Sequence, residues 1–454
     1  MSPAPTGRPA PARGTSGVAS DAADVPHARD DLRLRPGRAA LRVGRGSRDP
    51  EGRPATIDRM AIYLDHAATT PMRREVLDAM LPVMSGTFGN PSSAHVFGRR
   101  ARAALDDARE SVAHDLRADP REIVFTSGGS EAINLAIKGT AWAGKAHGHH
   151  IVTSAVEHEA ALNAVRYLGR FGFEVTVLPV DRYGRVDPDE LAAAVTERTV
   201  LVSLQVVNNE VGTIQPVAEL VRRARAHRHV TVHLDAVQAA PWLDLDVGAL
   251  DVDLLSIAAH KLEGPKGVGV LFVRRGTTLL AQQQGGAQER HRRAGTENVA
   301  GAVGLATALR LACAERTRVP SAVRALRDRL RDAVLAVPGV EATGHPRERI
   351  PNHLSVIVRD ADGQSLVTAL DLEGVACSSG SACATGSTEP SHVLTAMGYP
   401  PEEARGALRL TLGRTTTEDE IETAVRVVPA TVARLRAGAV ALAADPLGRR
   451  VDTA

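Results

Sequence analysis

Val230-Thr231-Val232-His233-Leu234-Asp235-Ala236-Val237-Gln238 opens on an apolar run, 230–234, that stops abruptly at an acid. Its β-branched residues and near-continuous apolar character read as a strand buried on both faces rather than one with a solvated side. Asp235 then stands at the strand's carboxyl end, where open α/β sheets place their ligands. Similar runs lie on either side, at residues 123–126, 151–153, 173–178, 200–207, 254–257 and 268–273. Ala-, Leu- and Arg-rich stretches with helical spacing separate them, such as 216–226. Strand–helix alternation of this kind predicts an α/β domain around a mostly parallel sheet, over residues 75–315.

Beyond it comes a long helical pattern at 319–337, a strand at 353–358 and a helix at 363–372. A Gly/Ser/Cys loop at 376–386 and a strand at 407–412 follow. This order predicts a smaller α+β domain made of residues 60–74 and 316–440. Residues 1–59 are rich in Pro, Arg, Gly, Ala and Asp without periodicity, so they read as a disordered extension. They contain no continuous apolar region for a secretory signal, and Asp21, Asp24, Asp30 and Asp31 do not suit a transit peptide. Met60, directly before strand-like 61–64, is an alternative first residue. Residues 441–454 read as a loose tail.

The chain has 454 residues, 43% hydrophobic and 24% charged, which is enough to build more than one core. Aromatics are only 3%, so that core must be mostly Ala, Val and Leu. A net charge of +2 gives no footing for nucleic acid, and no apolar run is long enough to suggest a membrane span. Cys313, Cys377 and Cys383 form neither a disulfide framework nor a paired metal site, and free thiols in a long chain fit a reducing cytoplasm. The basic residues are nearly all Arg; the lysines are Lys138, Lys145, Lys261 and Lys266. Chemistry that needs an amine has four places to occur.

Three motifs follow strands. Thr126-Ser127-Gly128-Gly129-Ser130-Glu131 opens a helix, where backbone N–H groups and the Ser130 hydroxyl can cradle a phosphate. Asp235 can hold a protonated ring nitrogen, and Gln238 can reach a neighbouring oxygen. In Ala258-Ala259-His260-Lys261-Leu262-Glu263-Gly264-Pro265, a lysine sits just past a strand, placed to form a Schiff base. Each has a plain structural alternative: a strand–helix turn, a helix cap, a surface lysine. Together, in this chain order, they match the needs of pyridoxal 5'-phosphate. His158, in Val156-Glu157-His158, can stack on a ring and move protons, although a lone histidine is often structural. Asn209, in Asn208-Asn209-Glu210, can supply an amide. Of the thiols, Cys383 in the Gly/Ser loop is the better nucleophile; Cys377 beside Val375 and Ala376 and Cys313 in a helical context read as buried.

With Tyr63-Leu64-Asp65-His66-Ala67-Ala68-Thr69-Thr70-Pro71, Gly89-Asn90-Pro91-Ser92-Ser93, His260-Lys261, Arg293-Ala294-Gly295-Thr296, the 378–383 loop and Glu389-Pro390-Ser391, the chain resembles the NifS/IscS-type cysteine desulfurases from residue 63 to about 436. The resemblance implies a fold-type-I transferase architecture and a homodimer. It implies that Lys261 carries the cofactor and shuttles the Cα proton, and that His158 stacks on the ring. Asp235 pairs with the pyridinium nitrogen and Gln238 with the phenolic oxygen. Gly129, Ser130 and His260 hold the phosphate, while Thr296 reaches the other subunit's cofactor. Asn209 and Arg409 grip L-cysteine, and Cys383 takes its sulfur as a persulfide, leaving L-alanine.

A sulfur-acceptor protein, either an iron–sulfur scaffold or a tRNA-thiolation enzyme, is the implied partner. The loop resembles the longer kind that hands sulfur to scaffold proteins. Two positions depart from the family pattern. Ala258 stands where many members carry a phosphate-binding Ser, which implies weaker cofactor binding, and Glu263 stands where Tyr is common. A selenocysteine lyase or another fold-type-I enzyme keeps Lys261 and Asp235 without needing Cys383.

Overall fold

The computed structural model describes residues 61–380 and 389–443. The extension 1–59, the loop residues 381–388 with Cys383, and the tail from 444 lie outside the described residues.

The strands are β1 (Ile62–Tyr63), β2 (Ile123–Thr126), β3 (His150–Ser154), β4 (Glu174–Leu178), β5 (Thr199–Gln205), β6 (Thr231–Asp235), β7 (Leu254–Ala258), β8 (Gly269–Val273), β9 (Val340–Ala342), β10 (His353–Val358), β11 (Val375–Ala376) and β12 (Ala407–Thr411). The helices that matter below are α1 (Arg74–Gly86), α2 (Val96–Leu116), α3 (Gly129–Gly144) and α4 (Glu159–Gly169). Next come α5 (Pro188–Ala194), α6 (Val217–Ala224), α7 (Val299–Glu315), α8 (Val319–Leu335) and α9 (Gly363–Leu372). Then follow α10 (His392–Ala396), α11 (Pro401–Ala404) and α12 (Glu418–Ala443), so the first residues of the expected tail are helical.

One sheet has the order β2-β8-β7-β6-β5-β3-β4. Its pairs are parallel except those of β8 with β7 and β2. The apolar runs explain its interior: β2, β3, β5, β7 and β8 are buried along their whole length. Edge strand β4 differs, with Glu174 and Val177 exposed. The core beneath is Val, Leu, Ala and Ile, closed by α1, α2 and α7 packed together. Inside it Arg109 grips the Glu289 carboxylate bidentately, at 2.7 and 2.8 Å, which satisfies a charge pair that neither residue could bury alone.

A second sheet, β12-β10-β9, is antiparallel and carries its own apolar cluster with α8, α9 and α12. Strand β1 pairs in parallel with β11. The register then fixes the site. Thr126 at the end of β2 and Ala258 at the end of β7 both lie across from Gly269, so the turns that follow them emerge side by side. Asp235 lies between Gln205 and Ser256 on the neighbouring strands.

Candidate active site

The α3 N-terminus comes first. Gly128 has φ +154° and ψ −177°, a conformation open essentially to glycine alone. Beside it, a Cβ on Gly129 would stand 2.9 Å from Val237 and 3.3 Å from the Ala258 methyl, so the helix start lies flat on the ends of β6 and β7. The turn is locked by Glu131, which accepts from the Ser127 N–H at 2.6 Å and from Arg293 at 2.8 Å. Ser130 is exposed at this helix start.

Asp235 is 6% exposed and accepts from the Val237 N–H at 2.9 Å. Burial pushes its carboxyl up, while the nearby Val237 N–H, His158 and Lys261 pull it back. A protonated ring nitrogen placed against it would stabilise the charged form further. Lys261 sits in the turn after β7; its Nζ donates to the Ala67 and Ala68 carbonyls, the latter at 2.8 Å. Gln238 also donates to the Ala67 oxygen, at 2.8 Å. His260 contacts the Thr69 hydroxyl at 3.2 Å, and burial with the charges of Lys261 and Lys266 lowers its imidazole to about 4, so it is neutral. His158 caps α4, its Nδ1 accepting from the Ala160 N–H at 3.0 Å. While that bond holds, the ring proton of the neutral imidazole is on Nε2.

Arg409, in β12, is 1% exposed. It pairs with Asp65 at 2.8 Å and donates to the carbonyls of Asn209 and Gly380 at 3.0 and 3.1 Å. Its Nε is buried without a hydrogen-bond partner among the described residues.

These groups surround one cavity of about 640 Å³. Gly129, Ser130, His158, Asn209, Asp235, Gln238, His260, Lys261 and Arg409 all line it. Thr296 does not; it is exposed in the loop after Arg293. Cys383 lies outside the described residues, but Gly380 and Glu389, on either side of that stretch, both line the cavity.

Several functional groups were not legible as such. Asp65 belongs to a quoted motif, yet nothing local shows that it faces Arg409. His233 is spoken for by Ser203 and Ser256, each at 2.8 Å, and burial pushes it down to about 3. Glu157 is fully buried under the site: Ser154 donates to one oxygen at 2.5 Å, and the other has no partner among the described residues. Burial, with Asp235 adding to it, raises its carboxyl from 4.5 to about 8. An acid that binds its proton more tightly when folded loses stability as pH rises from its unfolded value to its folded one. The melting temperature of cofactor-free protein is therefore expected to fall between pH 5 and 8 for this reason, and Glu157→Gln to flatten that fall by roughly 3–10 °C. Parallel wild-type and Glu157→Gln melting curves over that range would refute a protonated Glu157.

The chain belongs to the aminotransferase class-V family, which it matches over residues 62–423. Within it, the chain falls with the cysteine desulfurases of the NifS/IscS type. It is 47% identical over 386 residues to a protein of Methanosarcina thermophila named cysteine desulfurase IscS, covering 85% of this chain and 95% of that one. A protein of the same name from Dictyoglomus turgidum is 46% identical over 376 residues, covering 83% and 95%. A solved structure described as a NifS-like protein superposes with a TM-score of 0.78 at 36% identity, covering 83% of this chain and all of that one.

Proposed function

We propose that the protein is a pyridoxal-phosphate-dependent cysteine desulfurase that converts L-cysteine to L-alanine and leaves the sulfur as a persulfide on Cys383. The observation that carries the reading is the single cavity shared by Lys261, Asp235, the α3 N-terminus and Arg409, with both flanks of the Cys383 loop on its wall. The residues fit the cofactor. The open turn at Gly128, the α3 amides and Ser130 suit a phosphate, Asp235 a protonated ring nitrogen, and Lys261 an aldehyde. Bound there, the cofactor supplies an electron sink that stabilises negative charge at Cα.

The chain's own groups do the rest. Arg409 offers a guanidinium for the substrate carboxylate, and Asn209 sits beside it on the cavity wall. Lys261 Nζ holds or takes the Cα proton. His158, its Nδ1 held by the α4 cap, would carry its ring proton on Nε2 and exchange protons with the substrate thiol. Gln238 is anchored on the Ala67 carbonyl and turns towards the ring's phenolic oxygen only if that bond exchanges. Ala258 faces Gly129 at the phosphate end with a methyl, so one hydroxyl donor is missing there.

In this reading residues 75–315 hold the cofactor, while 60–74 and 316–440 carry Arg409 and the sulfur-accepting loop. The molecule works as a homodimer. Phe88, 70% exposed, stacks on the half-exposed Phe97 with ring centres 5.3 Å apart, an apolar surface suited to a second copy. Thr296, outside its own chain's cavity, serves the partner's. No helix among the described residues is long and apolar enough to cross a membrane. We place the enzyme in the cytoplasm, passing sulfur to an acceptor protein for iron–sulfur cluster assembly or tRNA thiolation.

The test is turnover of L-cysteine with a thiol reductant present. Alanine and sulfide are expected in equal amounts. Pyruvate in place of alanine, or no turnover by cofactor-loaded protein, would overturn the assignment.

A further inference from the structure

Segment 64–73 runs as a strap between Arg409 and Lys261. On one side, Thr411 N–H donates to the Leu64 carbonyl at 2.7 Å, the Ala67 N–H donates to the Thr411 hydroxyl at 2.9 Å, and Asp65 pairs with Arg409. On the other, the Thr70 N–H and hydroxyl donate to the His260 carbonyl at 2.9 and 2.8 Å, and Lys261 Nζ donates to the Ala68 carbonyl. Arg409 and Lys261 are thus linked through one short piece of chain.

Glu263 closes this link directly. It is 8% exposed and sits at φ +61°, a left-handed conformation unusual for a residue with a long side chain. Its backbone is held at both ends, its N–H donating to the Thr70 hydroxyl at 2.8 Å and its carbonyl accepting from the Arg73 N–H at 3.0 Å. One carboxylate oxygen accepts from both Arg73 and Arg414, the latter at 3.0 Å. Arg414 lies just beyond β12, the strand that carries Arg409. Glu315, at the end of α7, pairs with Arg73 and lies 3.8 Å from Arg414, so two carboxylates balance two guanidiniums. This cluster walls a second, smaller cavity of about 50 Å³ that shares Lys261 and Gln238 with the one described above.

We propose that Glu263 is a positioning residue: through Arg73 and Arg414 it clamps the Lys261 turn to the exit of the Arg409 strand, and so fixes the distance between the amine that holds the cofactor and the guanidinium that grips the substrate. The proposal rests on the function assigned above. Its physical basis is the left-handed backbone at Glu263, which only a set of converging bonds would hold, and the location of those bonds on the two segments that bear the two groups. A tie of this kind acts on how well substrate is gripped, while the chemistry at Lys261 continues once substrate is seated. A plain buried ion pair would instead act only on stability.

The experiment compares Glu263→Gln, Arg414→Gln and the double variant in cofactor-loaded protein. The double variant keeps one guanidinium and one carboxylate, so it restores charge balance without restoring the tie. Each single variant is expected to raise KM for L-cysteine about 5–20-fold with kcat within about threefold of wild type. The double variant is expected to recover the melting temperature and keep the raised KM. Amide hydrogen exchange is expected to quicken in 64–73 in all three, a readout that does not depend on turnover. If KM returns to wild type in the double variant, or never changes, Glu263 is a structural charge and the proposal fails. Should Glu263→Gln fail to fold, Arg414→Gln decides alone, because Glu263 still pairs with Arg73 there: a raised KM with quickened exchange upholds the tie, and unchanged values end it. A wild-type protein that does not turn over cysteine defeats the functional assignment, whereas unchanged exchange in the variants defeats only the clamp.

Discussion

Cys383→Ala is expected to stop release of alanine and sulfide from L-cysteine, by on the order of 10³-fold or more, while the protein keeps its cofactor absorbance. The other thiols are unfit for the task. Burial, with Asp65 and Asp371 adding to it, pushes Cys377 up to about 12, so it is held as the unreactive thiol at neutral pH. Cys313 is raised by burial too, and its sulfur accepts from Arg316 at 3.2 Å. Neither lines the cavity, whereas both flanks of the Cys383 stretch do. Cys377→Ser is therefore the matched control and is expected to turn over at close to the wild-type rate. Assays of alanine and sulfide with both variants decide the matter. Full turnover by Cys383→Ala would move the reaction to a lyase that needs no enzyme thiol.

Much of this arrangement could be read from local sequence, for a physical reason. A strand buried on both faces must be apolar throughout, so β2, β5, β6, β7 and β8 show as short runs within a residue or two of their observed ends. Lys261 and Asp235 follow such runs at once, so the sheet fixes their position and no distant contact is needed to place them. The antiparallel direction of β8 departs from the mostly parallel expectation, and its signal is local. The connection from Ala258 to Gly269 is too short for the crossover that a parallel pair needs, and the strand returns antiparallel. Edge strand β4 reads like its neighbours, because its pattern does not show that among the described residues it pairs on one side only.

What stayed hidden depends on partners far apart in the chain. Asp65 and Arg409 are separated by 344 positions, and Arg73 and Glu263 by 190. Neither a period nor a motif links such positions. Glu263 looked like an unexplained departure until the fold supplied Arg73 and Arg414. Glu157 looked like any acid beside a histidine until burial set its protonation. Local sequence thus pointed to the groups proposed to touch cofactor and substrate, and only the fold showed the groups that hold those in place.

Lys261→Ala is expected to remove the visible Schiff-base band and to lower cysteine turnover by about 10³-fold or more. The other lysines cannot substitute. Lys138 lies over the Tyr167 ring at 4.5 Å and Lys145 over Trp142 at 5.0 Å, while Lys266 is exposed past the Gly/Pro turn. None of them lines the cavity. Lys261 Nζ and Gln238 both donate to the Ala67 carbonyl, so that buried acceptor keeps a partner when Nζ withdraws for as long as Gln238 stays on it. Lys261→Arg separates charge from chemistry. Its guanidinium can keep the Ala67 and Ala68 contacts but does not lose a proton near neutral pH, so it cannot condense with an aldehyde. Both variants should therefore be equally inactive, with Lys261→Arg the closer to wild type in thermal stability. A Lys261→Arg protein that kept the band and a tenth of the activity would mean that another amine holds the cofactor, and the cavity built around β6 and β7 would lose its central role.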